Sequence, residues 1–231
     1  MTDAFFDGYD ANFFKLHNNA DHAQAYDKLA AIVYSVLRPK SVIDVGAGCG
    51  NLLSRLYELS GQTLVYDAVD APQCRQAIYD AGTEIPIEKY WWRDLRYPQP
   101  VFPITHDNPN PGLSDYTRPN AVTTPPYDLA ISVEVAEHLP ADSAVSYLKF
   151  LTDMSDTVLF SGAVPGQGGV GHVNEQEWTY WLSFFNTFGY YYDAHTTNRI
   201  REALHGKLAP IWWYEYVGVF RRKTEPLGVD K

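Results

Sequence analysis

Cysteine is scarce in this sequence, and long apolar runs are missing from it. The chain of 231 residues contains two cysteines, Cys49 and Cys74, which are too few for a disulfide framework or a cysteine-based zinc cluster. No stretch reaches the roughly 18 consecutive apolar residues that a membrane span requires. The first 30 residues hold His, Asp and Asn where a signal peptide would have its apolar segment. We therefore expect a cytoplasmic protein that does not contact membranes.

Positive charge is also in short supply. The formal net charge is −10, and basic residues cluster only in the short run Arg221, Arg222 and Lys223. Such a chain repels a polyanion rather than steering it, so nucleic acid is a disfavoured partner. We expect the partner to be a small molecule, and the chain to act as a monomer or a homodimer.

What the sequence does contain is a regular alternation of strand and helix patterns. Its 45% hydrophobic content over 231 residues suffices for one α/β domain. An aromatic arm and a helix over 21–37 occupy residues 1–40, the alternating units span 41–222, and a tail covers 223–231. The predicted strands are 41–45, 63–69, 89–93, 127–133, 157–164, 190–194 and 211–220, and the predicted helices between them are 51–59, 71–81, 141–154 and 175–188. This order predicts a mainly parallel, doubly wound sheet.

One segment, residues 95–126, interrupts that alternation. It is rich in proline and shows no hydrophobic periodicity. A long segment of this kind inside a compact domain is either a surface excursion or a functional loop such as a lid. Both interpretations stay open.

The stretch "VIDVGAGCGNLL" predicts a cofactor-binding turn. Gly46, Gly48 and Gly50 follow a buried strand and precede a helix, so the backbone can approach a ligand closely at the helix N-terminus. The spacing differs from the G-x-G-x-x-G pattern of dinucleotide sites. Asp44, two residues before the first glycine, would repel a pyrophosphate and suits a cationic ligand.

Two further carboxylates follow the neighbouring strands. Asp70 ends the second strand in "LVYDAVDAP", where a carboxylate can accept hydrogen bonds from ribose hydroxyls. Asp94 follows the third strand in "WWRDLRYP" and can accept a hydrogen bond from an adenine amine. Both lie at the same edge of the predicted sheet as the glycine turn.

These motifs together resemble those of class I S-adenosylmethionine-dependent methyltransferases. "DVGAGCG" is similar to the family's first motif, "AVDAP" to its acidic second-strand end, "RDL" to its adenine-binding turn and "YDLAISVEVAEHLP" to its fourth-strand motif. "LFSGAVPGQGGVGHVNEQ" and "IWWYEYVGVF" resemble a bacterial and phage subgroup. The resemblance implies a Rossmann-like sheet of seven strands in the order 3-2-1-4-5-7-6, with strand 7 antiparallel. It also implies a cofactor site lined by Asp44, Gly46, Ala47, Gly48, Asp70, Ala71, Asp94, Leu95 and Glu134.

The stretch "SVEVAEHLP" places Glu134, Glu137 and His138 at i, i+3 and i+4, which is one face of a helical turn. His172 lies in a glycine-rich loop, "PGQGGVGHVNEQEW", that leaves the same edge of the sheet. In the same stretch, Asn174 and Glu177 have capping-box spacing and predict the start of the next helix.

Three interpretations of this cluster stay open. His172, His138 or Glu137 acts as a general base on the acceptor. Alternatively, these three residues and Glu134 bind a divalent metal ion that holds the acceptor oxygen. In the third interpretation the cluster is structural, with Glu137 exposed and His138 packed beside Pro140.

The leading functional hypothesis is methyl transfer from S-adenosylmethionine to an oxygen, or less favourably a nitrogen, of a small polar acceptor such as a sugar. The alternatives are a non-catalytic protein that binds S-adenosylmethionine or S-adenosylhomocysteine, and an RNA-directed metal-dependent O-methyltransferase. A nicotinamide oxidoreductase is disfavoured by Asp44 and by the glycine spacing.

Overall fold

The protein forms one mixed sheet of seven strands. The structure, a computed structural model, describes residues 8–96, 127–207 and 216–224. The strands are β1 (Ser41–Val45), β2 (Val65–Asp70), β3 (Tyr90–Trp92), β4 (Leu129–Ser132), β5 (Thr157–Phe160), β6 (Tyr190–Tyr192) and β7 (Gly218–Arg222). Their order in the sheet is β3-β2-β1-β4-β5-β7-β6. β7 is antiparallel to β5 and β6, and the other neighbours are parallel. The predicted strand order and the single Rossmann-like domain are confirmed.

Helices cover both faces of this sheet. They are α1 (Ala11–Leu16), α2 (Ala20–Leu37), α3 (Asn51–Leu59), α4 (Arg75–Ala81), α5 (Ala144–Met154), α6 (Trp178–Thr187) and α7 (Ala194–Leu204). Successive residues of a strand point to opposite faces, so Val42 packs in the core under α2 and α3, whereas Ile43 packs in the core under α5 and α6. Within the described residues, no helix combines the length and the hydropathy that crossing a membrane requires.

The sheet brings the ends of its central strands together. β1 lies between β2 and β4, with Val42 opposite both Tyr66 and Leu129. Since these strands are parallel, the loops after β1, β2 and β4 leave the sheet at one edge. The glycine turn follows β1, Asp70 ends β2 and the stretch 134–138 follows β4, so all three lie at this edge.

Two helices were missed by the sequence prediction, α1 within the aromatic arm and α7 after β6. Each begins at an aspartate that caps it: Asp10 accepts from Asn12 N and Phe13 N, and Asp193 accepts from Thr196 N. α7 buries only a narrow stripe of Thr196, Thr197, Ile200 and Leu204, and this stripe has too few apolar residues to give a helical signal.

The other boundaries differ by a few residues. α4 and α5 begin later than predicted because short 3₁₀ turns, Pro72–Cys74 and Ala141–Ser143, precede them. The predicted capping box is wrong. α6 begins at Trp178, and Glu177, its N-cap residue, makes no capping hydrogen bond through its side chain, while Asn174 is buried and accepts a hydrogen bond from Gln176.

Several predictions fall outside the described residues. They are most of the proline-rich segment (97–126), the start of the predicted seventh strand (211–215), the first seven residues of the arm and most of the tail (225–231). The last strand, β7, occupies Gly218–Arg222, so it extends two residues beyond the predicted end at Phe220.

Candidate active site

The glycine turn after β1 is held tightly against the rest of the sheet edge. The backbone N–H groups of Gly46 and Ala47 both donate to the Val69 carbonyl, at 2.8 and 3.2 Å. Gly46 has φ +83°, and a Cβ atom there would lie 2.4 Å from Cγ2 of Val135. Only glycine fits this position, because both the left-handed backbone and the contact exclude a side chain. The turn leads directly into α3.

Asp70, the last residue of β2, is bonded to this turn. Its Oδ2 accepts from Gly48 N at 2.8 Å, and its Oδ1 accepts from Ala71 N at 2.7 Å. Burial raises the pKa of Asp70 to about 6, although both hydrogen bonds oppose the shift. Each oxygen keeps a lone pair that a ligand hydroxyl can use.

Asp44 lies deeper than the other candidate residues. It is buried in β1, between Ala68 of β2 and Ile131 of β4. Burial, together with the charge of Asp70, raises the pKa of Asp44 to about 7. It is not among the residues that line the cavity at this edge. The charge of Asp44 would therefore act on a ligand across the glycine turn and not by direct contact.

Asp94 and Leu95 follow β3 and line the same cavity. The Asp94 carboxylate accepts two parallel hydrogen bonds from the Arg96 guanidinium, at 2.9 Å from Nε and 2.6 Å from Nη2. A bidentate pair of this kind fixes the direction of the carboxylate. Arg96 is a neighbour of this site that the sequence reasoning did not consider.

The carboxylate of Glu134 is fixed by hydrogen bonds from the residue that follows β5 and from the glycine-rich loop. Its backbone is left-handed, with φ +57°. Ser161 Oγ and Gln167 Nε2 donate to its two oxygens, both at 2.8 Å. Burial raises its pKa against these hydrogen bonds. The predicted helical face is therefore wrong: Glu137 and His138 lie on a 3₁₀ turn, Ala136–His138, that begins after Glu134.

Glu137, His138 and His172 converge on one point. Each offers one ligand or base atom, and these atoms all lie within 4.8 Å of one another. The rings of His138 and His172 meet edge to face, with centroids 4.8 Å apart. The loop is fixed to this turn because Val173 N and Asn174 N both donate to the Glu137 carbonyl.

Glu137 is completely buried, so the structural interpretation that left it exposed is wrong. Its carboxyl group lies beside the Glu134 carboxylate and the Ala163 backbone and interacts with both, although among the described residues neither oxygen has a partner with full hydrogen-bond geometry. Burial, with a further contribution from the Glu134 charge, raises the pKa of Glu137 well above its ordinary value.

The two histidines have different surroundings. His138 is held neutral, because burial lowers its pKa to about 3, and its Nδ1 lies 2.8 Å from the Tyr9 hydroxyl. Nδ1 of His172 donates to Glu175 at 2.9 Å, which leaves the lone pair of a neutral ring on Nε2. Glu175 also accepts from Gly166 N and Gly168 N, so it orders the loop as well as the ring. Sequence reasoning missed Glu175, although it stands only three residues after His172.

All of the site residues predicted from the sequence, except Asp44, line one cavity of about 470 Å³. Its floor is the edge of the sheet, and its roof is the N-terminal arm together with the glycine-rich loop. The arm contributes Tyr9, Phe13, Phe14, Leu16 and His17, and the loop contributes Gln167, Gly168, Gly169, Val170 and His172. This volume suits a small-molecule site.

The fold is shared with methyltransferases of known structure. No protein-family model matches the sequence, and no curated protein matches it. An O-methyltransferase family protein from Burkholderia thailandensis superposes with a TM-score of 0.54 at 11% identity, covering 91% of this chain and 59% of that one. Human N-acetylserotonin methyltransferase, solved with SAM, gives 0.54 at 13% identity, with coverages of 93% and 56%.

Magnesium protoporphyrin IX methyltransferase from Synechocystis, solved with SAH, gives a TM-score of 0.50 at 14% identity and covers 88% of this chain and 84% of its own. This chain has the Rossmann-like methyltransferase fold. It spans about three fifths of the length of the Burkholderia protein. At these identities the likeness establishes the fold and leaves the reaction to be argued from the site.

Proposed function

We propose that this protein transfers a methyl group from S-adenosylmethionine to a hydroxyl oxygen of a small polar acceptor. One observation carries the proposal: a single cavity joins the glycine turn and Asp70 to the cluster of Glu137, His138 and His172. A site for an adenosyl ligand and a site for removing a proton are thus adjacent.

The residues present fit the cofactor. The glycine turn offers close backbone approach beside the N-terminus of α3, Asp70 would accept hydrogen bonds from the ribose hydroxyls, and Leu95 would lie beside the adenine. The carboxylates of Asp44, Asp70 and Glu134 favour a positively charged donor over a pyrophosphate. S-adenosylmethionine supplies a methyl group on a sulfonium, and the sulfur keeps the C–S electron pair when the acceptor oxygen takes the methyl.

His172 is the proposed general base. Its Nδ1–H is donated to Glu175, so Nε2 can take the proton of the acceptor hydroxyl as the oxygen attacks. Glu175 then stabilises the imidazolium that forms. The arm and the loop exclude water from the attacking oxygen, and they hold it in place.

Two measurements test this proposal. Calorimetry should detect binding of S-adenosylmethionine and none of NADH; binding of NADH alone would overturn the proposal. Cell extracts incubated with a methyl-labelled donor should then yield a labelled small molecule together with S-adenosylhomocysteine. Tight donor binding without turnover across a broad acceptor panel would instead indicate a non-catalytic binding protein.

A metal-assisted version of the same transfer is favoured by one observation, the convergence of two imidazoles on the buried Glu137 carboxyl group, with the three ligand atoms within 4.8 Å of one another. A divalent cation between Glu137, His138 and His172 would neutralise it and would acidify the acceptor hydroxyl directly. Two imidazoles and a carboxylate suit zinc or iron better than magnesium.

Glu137→Gln separates the two versions, because it keeps the shape of the side chain and removes the charge that a cation needs. With His172 as base, the variant keeps its turnover and chelators have no effect. With a cation, the variant loses both turnover and metal, as elemental analysis of the purified protein would report.

A further inference from the structure

The N-terminal arm is joined to the candidate active site by one tyrosine. Tyr9 lies just before α1, and its hydroxyl oxygen is 2.8 Å from Nδ1 of His138, which is 129 residues away in the sequence. The two rings meet edge to face, with centroids 5.6 Å apart. Tyr9 also lines the cavity, so this contact closes part of the roof over it.

The direction of this hydrogen bond follows from the surroundings of both groups. Burial raises the pKa of the Tyr9 hydroxyl and lowers that of the His138 ring, so both groups are neutral. His138 also makes a hydrogen bond to the Gly171 backbone that favours the protonated ring, so a ring N–H donates it. Because Nδ1 faces the Tyr9 hydroxyl, we assign that N–H to Nε2, and Nδ1 of the neutral ring then accepts the O–H of Tyr9. His138 thus has a partner on each side.

The same tyrosine contacts the glycine-rich loop directly. Gly171 has φ +76°, and a Cβ atom there would lie 2.5 Å from the Tyr9 hydroxyl oxygen. The loop backbone is consequently pressed against the hydroxyl. The next residue is His172, whose ring packs edge to face on His138.

We infer that Tyr9 is a positioning residue, which fixes the His138 ring and the Gly171 backbone and so sets the place of His172 beside the acceptor. The inference rests on the proposed function, in which His172 takes the acceptor proton. Through the same contacts Tyr9 holds the arm closed over the cofactor. The N-terminal arm, the 3₁₀ turn that carries His138 and the glycine-rich loop then open as one unit.

Tyr9→Phe tests the inference, since it keeps the ring and removes the hydroxyl. Tyr191→Phe is the matched control, because Tyr191 is exposed on β6, far along the sheet from this edge. Long-range ¹H–¹⁵N spectra of the imidazoles should find His138 with its proton on Nε2 in the wild type and in the control. In Tyr9→Phe they should report a mixture of both tautomers.

The loop and the arm give two further readouts. The variant loses one hydrogen bond of ordinary strength, so the rate of amide hydrogen exchange over residues 166–171 should rise about fivefold. The dissociation rate of S-adenosylhomocysteine should rise by about the same factor. Gly171→Ala disturbs the same contact from the loop side and should raise the same two rates. Because both variants disturb one contact, the effect of the double variant should be smaller than the sum of the two single effects. Once an acceptor is known, kcat should fall more than KM for the methyl donor rises.

A folded Tyr9→Phe variant with an unchanged His138 tautomer, loop exchange and dissociation rate would overturn the inference. If it does not fold, Gly171→Ala decides by the same readouts. Failure of S-adenosylhomocysteine to bind the wild-type protein would count against the proposed function instead. In that case the tautomer and the loop exchange would still report whether Tyr9 holds His138.

Discussion

The backbone N–H of Gly48 donates a hydrogen bond to Oδ2 of Asp70 at 2.8 Å, so the carboxylate that ends β2 also fixes the glycine turn that follows β1. Asp70 has two tasks at once. It shapes the backbone on which a cofactor would lie, and it offers its remaining lone pairs to that cofactor.

Affinity for S-adenosylmethionine should depend on pH through Asp70. Its pKa is raised to about 6 by burial, and an ionised carboxylate accepts hydrogen bonds more strongly than a neutral one. Binding should be about tenfold weaker at pH 5 than at pH 7.5, because only about a tenth of the carboxyl groups are ionised at pH 5. Calorimetry across this range measures the effect. Asp70→Asn should bind more weakly and lose the part of the pH dependence centred near pH 6, and an unchanged profile in that variant would assign the dependence to another group, such as Asp44.

Gly46→Ala should damage both the fold and the site. The added Cβ would lie 2.4 Å from Val135, and overpacking of this kind costs about 1–3 kcal/mol beyond the 1–2 kcal/mol or so of a left-handed backbone. Gly61→Ala is the control, because Gly61 also has a positive φ but has nothing within 4 Å of its Cβ position. Denaturant unfolding should place Gly46→Ala well below Gly61→Ala in free energy of unfolding. Equal losses would mean that the Val135 contact costs nothing.

His172→Ala should lower turnover about 10²- to 10⁴-fold, the usual contribution of a general base, with little change in affinity for S-adenosylhomocysteine. Glu175→Gln should lower turnover less, since it weakens the hydrogen bond that orients the ring without removing the base. His195→Ala is the control, because His195 is exposed on α7. Full turnover in His172→Ala would show that His172 is not the general base.

Asp44→Asn should stabilise the protein at alkaline pH. Burial raises the Asp44 pKa from 3.8 to about 7, so the folded state binds this proton more tightly than the unfolded state does. The free energy of unfolding therefore falls as pH rises from about 4 to about 7, and the deficit persists above that. Thermal melts of the variant should lose this part of the pH dependence. A variant that is less stable than wild type at pH 8 would contradict the expectation.

The strands and helices were predictable because they depend on local signals in the sequence, whereas the order of the strands in the sheet was implied by the resemblance to methyltransferases. The apolar residues Val42, Ile43 and Val45 and the glycine-rich turn after them mark a buried strand and its exit. The boundaries of β1 and α3 agree with the prediction residue for residue. Where the apolar signal is weak the prediction failed, as at α7, whose buried stripe is half threonine.

Glu134 illustrates what local spacing could not give. Its i, i+3, i+4 relation to Glu137 and His138 predicted a shared helical face, yet its backbone is left-handed. Ser161 and Gln167, 27 and 33 residues further along, hold its carboxylate. Partners this distant in sequence leave no periodic signal around Glu134 itself.

The sequence by itself determined the α/β fold class and the edge of the sheet where ligands would meet, because hydrophobic periodicity and glycine spacing act over a few residues; the strand order followed from the resemblance of its motifs to those of methyltransferases. Only the tertiary structure decided which polar groups are partnered. It buries Glu137 beside Glu134. It also pairs His172 with Glu175 and places Tyr9 in contact with His138, 129 residues away in the sequence. Burial and long-range hydrogen bonds set the protonation of these side chains, and neither can be read from the order of residues alone.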